Sequence, residues 1–314
     1  MAEGYKILVT GGAGYIGSTL VPALLAQGHR VTVLDNLLYK QNSLSHVCYH
    51  PNFNVVKGDI RIKSTMAMLL KEADIVIPLA ALVGAPLCKL DPMTATAVNH
   101  DAILMMLRLL SPAQRVLMPT TNSAYGTGDK NNFCTEESPL HPISQYAEEK
   151  VIVEKALMSH PNAISFRLAT VFGMSPRMRT DLLVNDFVYR AVYDGCVLLF
   201  ESHFKRNYIH VRDVVNAFLH GIQHYDAMKG QIYNVGLSEA NISKKELCEK
   251  IKEQLPQFTY VEAPIGKDPD QRNYIVSNEK IEKTGFKPQH SLEMGIRELI
   301  KGYTLIKNSI YGNV

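Results

Sequence analysis

A β-branched run, Lys6-Ile-Leu-Val-Thr10, leads straight into Gly11-Gly-Ala-Gly14-Tyr15-Ile16-Gly17 and then into a helical pattern. This feature constrains the fold most. Glycines at 11, 14 and 17 between a strand and a helix have separate mechanical uses. Gly11 permits the turn, Gly14 lets backbone approach a pyrophosphate, and Gly17 lets the helix pack closely on the strand. The helix N-terminus, with the N–H groups of Tyr15, Ile16 and Gly17, then faces a dianion. The second strand ends in Leu34-Asp35-Asn36, where a dinucleotide fold places the carboxylate that binds a ribose. Asp35 accepts from a 2′-hydroxyl and repels a 2′-phosphate, and no Arg follows it at once, so the expected cofactor is NAD rather than NADP.

The alternation continues. Strand-like runs fall at about 6–10, 30–35, 54–57, 73–78, 114–119 and 163–171, with helical patterns near 15–27, 63–72, 93–111 and 144–159. This is the pattern of βαβ units, and it predicts an α/β fold, a Rossmann-type doubly wound parallel sheet. Pro22 falls inside the first helix, where a bend or strain is expected. After about residue 173 the alternation weakens, which predicts a smaller interleaved C-terminal lobe. The expected division is a dinucleotide-binding domain over 1–173, with 207–236 returning to it, and a substrate lobe over 174–206 and 237–314. Gly58-Asp59-Ile60 closes the third strand at the same sheet edge, where Asp59 either reaches the adenine or makes an Asx-turn.

Several classes are excluded by composition. With 33 basic and 30 acidic residues the net charge is +3, which gives no electrostatic footprint for nucleic acid. The longest nearly apolar run, Ile75 to Cys88, is broken by Pro78 and Pro86 and is shorter than the roughly 18 residues of a membrane span. The first residues have no secretory pattern, which points to the cytoplasm. Five cysteines with no CxxC or Cys/His spacing read as unpaired core thiols, with no metal site expected.

Tyr146-Ala-Glu-Glu-Lys150 sets a phenol and an ammonium on one helix face. Positive charge from Lys150 and from an oxidised nicotinamide would favour phenolate, making Tyr146 a general base. Thr121, at the C-terminal end of the preceding strand, is placed to hold the hydroxyl that Tyr146 deprotonates.

These residues together resemble the extended short-chain dehydrogenase/reductases that act on nucleotide sugars, the epimerases and dehydratases. The resemblance covers nearly the whole chain: the glycine turn, Asp35, Ala80-Ala81, Asn99, Thr121, Tyr146/Lys150, Arg167, Arg206–Asp213, Tyr233–Gly236 and Arg272. It implies tightly bound NAD held also by Asn36, Asp59, Ile60, Leu79, Ala80, Ala81 and Asn99, and a substrate site including Val83, Asn122, Ser123, Arg177 and Asn185. Arg206 and Arg272 would neutralise the diphosphate. A homodimer through a four-helix contact of helices 93–111 and 144–159 is also implied.

Within the group, the 4,6-dehydratases carry Thr-Asp-Glu where this chain has Thr121-Asn122-Ser123, and the decarboxylases keep a Glu at the Ser123 position. Neither carboxyl is present here. Hydride chemistry at C4 remains, either released as a ketone or returned as in a 4-epimerase. Pro78–Cys88 and Leu168–Arg179 resemble the GDP-manno-heptose 4-dehydrogenases of capsular heptose synthesis, which implies a GDP-linked substrate. Departures are Thr170 and Asp181, each where many epimerases have Asn. The reading from a different class is a silent NAD-binding regulator on the same fold.

Overall fold

The computed structural model describes residues 4–40, 42–84, 88, 90–127, 133–266 and 272–306. Seven parallel strands form the main sheet: β1 (Lys6–Thr10), β2 (Arg30–Asp35), β3 (Phe53–Lys57), β4 (Ile75–Pro78), β5 (Arg115–Thr121), β6 (Ala163–Leu168) and β10 (Gln231–Val235). Their order is β10-β6-β5-β4-β1-β2-β3. It reverses between β1 and β4, and ligands of open α/β sheets bind at such a switch point, beyond the carboxyl ends of the strands.

Alternation along each strand divides the core between two faces. Ile7 and Val9 pack with Leu20, Leu24 and Phe218 on one side, while Leu8 packs with Val76, Met118 and Val153 on the other. The covering helices are α1 (Gly17–Ala26), α2 (Lys63–Leu70), α3 (Pro92–Thr96), α4 (Ala102–Leu109), α5 (Gln145–Leu157), α6 (Leu183–Tyr193), α7 (Val211–Gln223) and the short α8 (Tyr225–Met228). Pro22 is carried inside α1 without ending it.

Three predicted elements are refined by the structure. The run 163–171 is two strands, because the chain leaves the main sheet at Ala169. β7 (Thr170–Phe172) then pairs with β9 (Lys205–His210) in a second sheet with β11 (Asn241–Ser243). The helix 93–111 is broken by a π-helical turn over Ala97–Asp101, between α3 and α4. β5 runs on to Thr121, so that hydroxyl sits on the strand itself.

β8 (Cys196–Leu199) pairs in parallel with β12 (Thr259–Glu262), and three further helices are α9 (Lys244–Gln254), α10 (Glu279–Glu282) and α11 (Leu292–Leu305). A second core of Phe172, Val188, Tyr208, Leu247 and Ile296 lies here. Cys88, Cys134 and Cys248 are buried thiols, but Cys48 and Cys196 are exposed, contrary to the expectation that all five fill the core. No helix among the described residues is long and apolar enough to cross a membrane.

Candidate active site

The glycine turn is packed closely on its neighbours. Gly11 has φ +70°, and a Cβ there would lie 2.5 Å from the Ala80 nitrogen. The turn therefore rests against the backbone that follows β4, and the Leu79 N–H donates to the Thr10 carbonyl at 2.9 Å. A Cβ on Gly17 would meet the Gly12 carbonyl oxygen at 2.5 Å, so the close contact at the third glycine is with the turn itself. Ile16 caps α1 without any side-chain hydrogen bond, and its first turn holds no acidic residue. Free N–H groups at an uncapped start with a positive dipole end suit a pyrophosphate.

Asp35 closes the other side. Its Oδ2 accepts from the Ala13 N–H at 3.0 Å and its Oδ1 from the Leu37 N–H at 2.8 Å. The carboxylate is thereby fixed at the mouth of the glycine turn. Asn36 accepts from the Leu38 N–H. Asp59 makes the Asx-turn, accepting from the Arg61 N–H at 2.9 Å, and is forked by the Arg61 guanidinium at 2.6 Å. That hydrogen bond holds the Asp59 carboxyl below its ordinary range. Ile60 beside it is buried.

Asn99 lies in the π-helical turn, fully buried, with its amide clamped on one residue. It donates to the Leu82 carbonyl and accepts from the Leu82 N–H, both at 2.9 Å. Expected at the cofactor, its side chain braces the Leu82 backbone. Such π-bulges recur at functional sites, and here the bulge aims one amide at the loop. Ala80, Ala81 and Val83 are half-buried along that loop.

The two residues expected to move the proton, Tyr146 and Lys150, lie on α5. Ser144 caps α5 by accepting from the Ala147 N–H, and Tyr146 and Lys150 follow on one face. The Lys150 Nζ lies 5.9 Å from the Tyr146 ring centroid. Burial pushes the phenol up to about 12, against the charges of Arg179 and Arg272. Burial also pulls Lys150 down to about 8, opposed by Glu149. The sequence pointed to Lys150 as the cation acting on the phenol; Arg179, which it did not single out, is the foremost one here. Arg179 is forked by Asp181 at 2.6 Å, so the carboxylate that looked misplaced for a pyrophosphate holds an arginine.

Thr121 donates to Ser123 Oγ at 3.0 Å and accepts from the Ser123 N–H at 3.1 Å. Arg272 also donates to Ser123 Oγ. Arg272 thus reaches the end of β5, beside the proton-transfer set. Asn122 is fully buried, and neither its amide nitrogen nor its oxygen has a hydrogen-bond partner. Such an orphan is costly, about 1–3 kcal/mol, and marks a place where a ligand or water group is expected.

Two side chains are occupied within the protein: Asn185, expected at the substrate, and Tyr15, expected at the cofactor. Asn185 donates to the Arg179 carbonyl and to the Tyr15 hydroxyl and accepts from the Gly173 N–H, with no exposed surface. It braces the lobe rather than reaching a ligand. Tyr15 buries its ring in the second core and donates to the Gly173 carbonyl at 2.7 Å, leaving only its backbone for a cofactor. Arg206 is buried on β9, its guanidinium carbon 5.8 Å from the Tyr274 ring.

Below this floor Arg167 forks Glu154 at 2.6 Å, and Glu154 also accepts from Thr120 and Ser165 at 2.8 Å each. Arg167 reaches the Tyr125 hydroxyl at 3.0 Å, which donates to Asn234 at 2.7 Å. This network ties β5, β6, β10 and α5 together through Thr120, the residue before Thr121. Glu154 is not among the residues the sequence singled out, although it stands four residues beyond Lys150 on the same helix.

Residues 7–236 match the NAD dependent epimerase/dehydratase family. The chain belongs to that family. It is an NAD-dependent enzyme of the extended short-chain dehydrogenase type, and the glycine turn, uncapped α1 and Asp35 fit that cofactor. Among curated members, it is similar to the low-salt glycan biosynthesis protein Agl12 of Haloferax volcanii, 30% identical over 95% of this chain and 98% of that protein. Among solved structures, it resembles DesIV, a dTDP-glucose 4,6-dehydratase of Streptomyces venezuelae with NAD and TYD bound. That likeness has TM-score 0.81 and 26% identity, over 96% of this chain and 98% of the other. It also resembles a UDP-glucose 4-epimerase of Thermotoga maritima with UDP-glucose, with TM-score 0.83 and 26% identity, over 96% and 100%. Of the two stretches singled out for the heptose resemblance, Leu168–Arg179 runs from the last residue of β6 through β7 into the strap after it, and Ala85, Pro86 and Leu87 of the other lie outside the described residues.

Proposed function

We propose that this family member performs hydride chemistry at C4 of a nucleotide sugar without expelling water or carbon dioxide, specifically oxidising GDP-D-glycero-D-manno-heptose to its 4-keto form for capsule polysaccharide synthesis. The observation that carries the C4 reading is the end of β5. Where water-eliminating relatives carry carboxyls, this chain holds an orphaned amide, Asn122, and a hydroxyl, Ser123, already accepting from Thr121 and Arg272. No carboxylate stands there to move a proton between C5 and C6. The GDP-heptose assignment rests on the two resembling stretches, Pro78–Cys88 and Leu168–Arg179.

In this reading Tyr146 takes the C4 hydroxyl proton, Thr121 shares the hydroxyl's hydrogen bond, and Lys150 with Arg179 stabilises the phenolate. NAD, when bound, supplies the hydride acceptor. Arg206 and Arg272 hold the diphosphate, with Arg272 turning from Ser123 to do so, and Val83 and Asn122 line the sugar. A silent regulator has no use for Thr121, Tyr146 and Lys150 together. The enzyme works in the cytoplasm as a homodimer through α3, α4 and α5. Met93 on α3 is 84% exposed and Ile152 on α5 is 52% exposed, an apolar surface on the two elements that would pair.

The similarity to a 4-epimerase structure supports a second reading, in which the ketone is retained and the hydride returned to its other face. The two separate in one experiment. The protein as purified is mixed with GDP-manno-heptose, with and without a keto acid as hydride acceptor, and cofactor absorbance and products are followed. A dehydrogenase gives at most one ketone per bound NAD until the acceptor is added. Acceptor-independent accumulation of an isomer of identical mass would establish the epimerase instead, and loss of one water would overturn both.

A further inference from the structure

The turn after β2 is shaped around one ring. Leu37 and Lys40 both hold left-handed backbone, φ +56° and +52°, a region that side chains with a Cβ rarely adopt. The Lys40 N–H closes the turn on the Leu37 carbonyl at 3.1 Å. Backbone of this kind persists only where its surroundings over-determine it, and it clusters at ligand clamps and switches. Between the two, Tyr39 is half-buried, with the Arg177 guanidinium carbon 3.8 Å from its ring centroid.

Arg177 arrives from the strap after β7. Its side chain is buried and donates to the Met178 carbonyl at 2.9 Å, and its own N–H donates to Ser18 Oγ at 3.2 Å. Ser175 donates to the Tyr15 carbonyl at 2.6 Å and meets Ser18 Oγ at 2.9 Å. The strap is therefore stitched to the first turn of α1. The Tyr39 loop is fastened to the glycine turn from the other side, by Asp35 on the Ala13 N–H and by Ser43 on the Ala13 carbonyl at 2.8 Å. Tyr39 and Arg177 thus meet across the opening whose two rims are the start of α1 and Asp35.

We propose that Tyr39 and Arg177 form a latch across the ribose and pyrophosphate side of the dinucleotide site, retaining NAD between turnovers. A flat guanidinium stacked on an aromatic face is a strong contact when both are withdrawn from water. It also adds positive charge beside the helix end that faces the pyrophosphate. Arg177, expected at the substrate, is in this assignment a cofactor-retaining residue. The inference rests on the family's dependence on NAD and not on which sugar is processed.

The test uses the protein as purified with its NAD, chased by an excess of 1,N6-etheno-NAD whose fluorescence reports exchange. Tyr39→Ala and Arg177→Met are expected to exchange about tenfold faster, the size that a desolvated cation–π contact supports. Tyr39→Phe, which keeps the aromatic face, should exchange at the parent rate. The double variant should be no faster than either single, because each removes the same contact. Arg177 is buried, so Arg177→Lys, which keeps the charge but loses the flat face, is measured with it, and urea midpoints show whether the variants remain folded. Exchange unchanged in Tyr39→Ala, whose place in a surface turn spares the core, overturns the proposal. So does Tyr39→Phe exchanging as fast as Tyr39→Ala.

Discussion

Lys150, proposed to stabilise the phenolate, is a buried cation that opposes stability. Its ordinary value is 10.5 and burial lowers it to about 8 in the folded chain. Between these values the unfolded chain binds more protons than the folded one, so stability rises with pH across about 8 to 10.5. Below about pH 8 the full cost of a buried ammonium is present. Lys150→Met should therefore raise the urea midpoint at pH 7, with the gain shrinking as pH approaches 10.5, while turnover is lost. A midpoint that falls at pH 7 would show that Lys150 has a stabilising partner. Tyr146→Phe should retain NAD yet lose about 10²-fold or more in turnover, as expected when a general base is removed. Asp35→Arg should move preference toward NADP by exchanging a repelling carboxylate for a phosphate partner, read as the ratio of kcat/KM for the two cofactors.

At the level of elements, close packing under the site sets what can be changed. Gly17→Ala would drive a Cβ against the Gly12 carbonyl oxygen at 2.5 Å and its Cα at 2.6 Å, both backbone atoms that cannot swing away. The expected result is a chain that loses NAD on gel filtration, measured as bound nucleotide per chain. The Glu154–Arg167 pair fixes α5 against β6 with both side chains nearly fully buried. Arg167→Met leaves a buried carboxylate without its cation and should cost about 3–5 kcal/mol in urea unfolding. Glu154→Met together with Arg167→Met should recover part of that loss, because no charge is then stranded. Equal destabilisation by the single and double variants would show that the pair matters only as packing.

Across the whole molecule, the site is where separate lengths of chain converge: the glycine turn, the loop braced by Asn99, the end of β5, α5, the strap after β7, and Arg272. Met93→Glu with Ile152→Glu places charge on the two exposed apolar positions of α3 and α5. If the proposed homodimer forms through these helices, sedimentation velocity should show a dimer for the parent chain and a monomer for this variant. An unchanged sedimentation coefficient would remove these helices from the proposed contact.

Local chemistry was legible in the sequence because it depends on neighbours. Strand, glycine turn and helix follow one another within 6–26, Tyr146 and Lys150 share a face through helical spacing alone, and β2 ends in Asp35 at the carboxyl end of the strand. The parallel sheet follows from the alternation of short β-branched runs with helical ones. Tertiary structure decided which polar groups remained available for a ligand, since that depends on partners distant in the chain. Asn99 is taken by Leu82, Asn185 by Gly173 and Arg179, and Tyr15 by Gly173, while Asn122 is left with none. The split of 163–171 between two sheets likewise depends on β9, which lies more than thirty residues further on. Spacing identifies residues able to do the chemistry; only the packed chain determines which are already engaged, because a buried hydrogen-bonding group takes whichever partner folding brings to it.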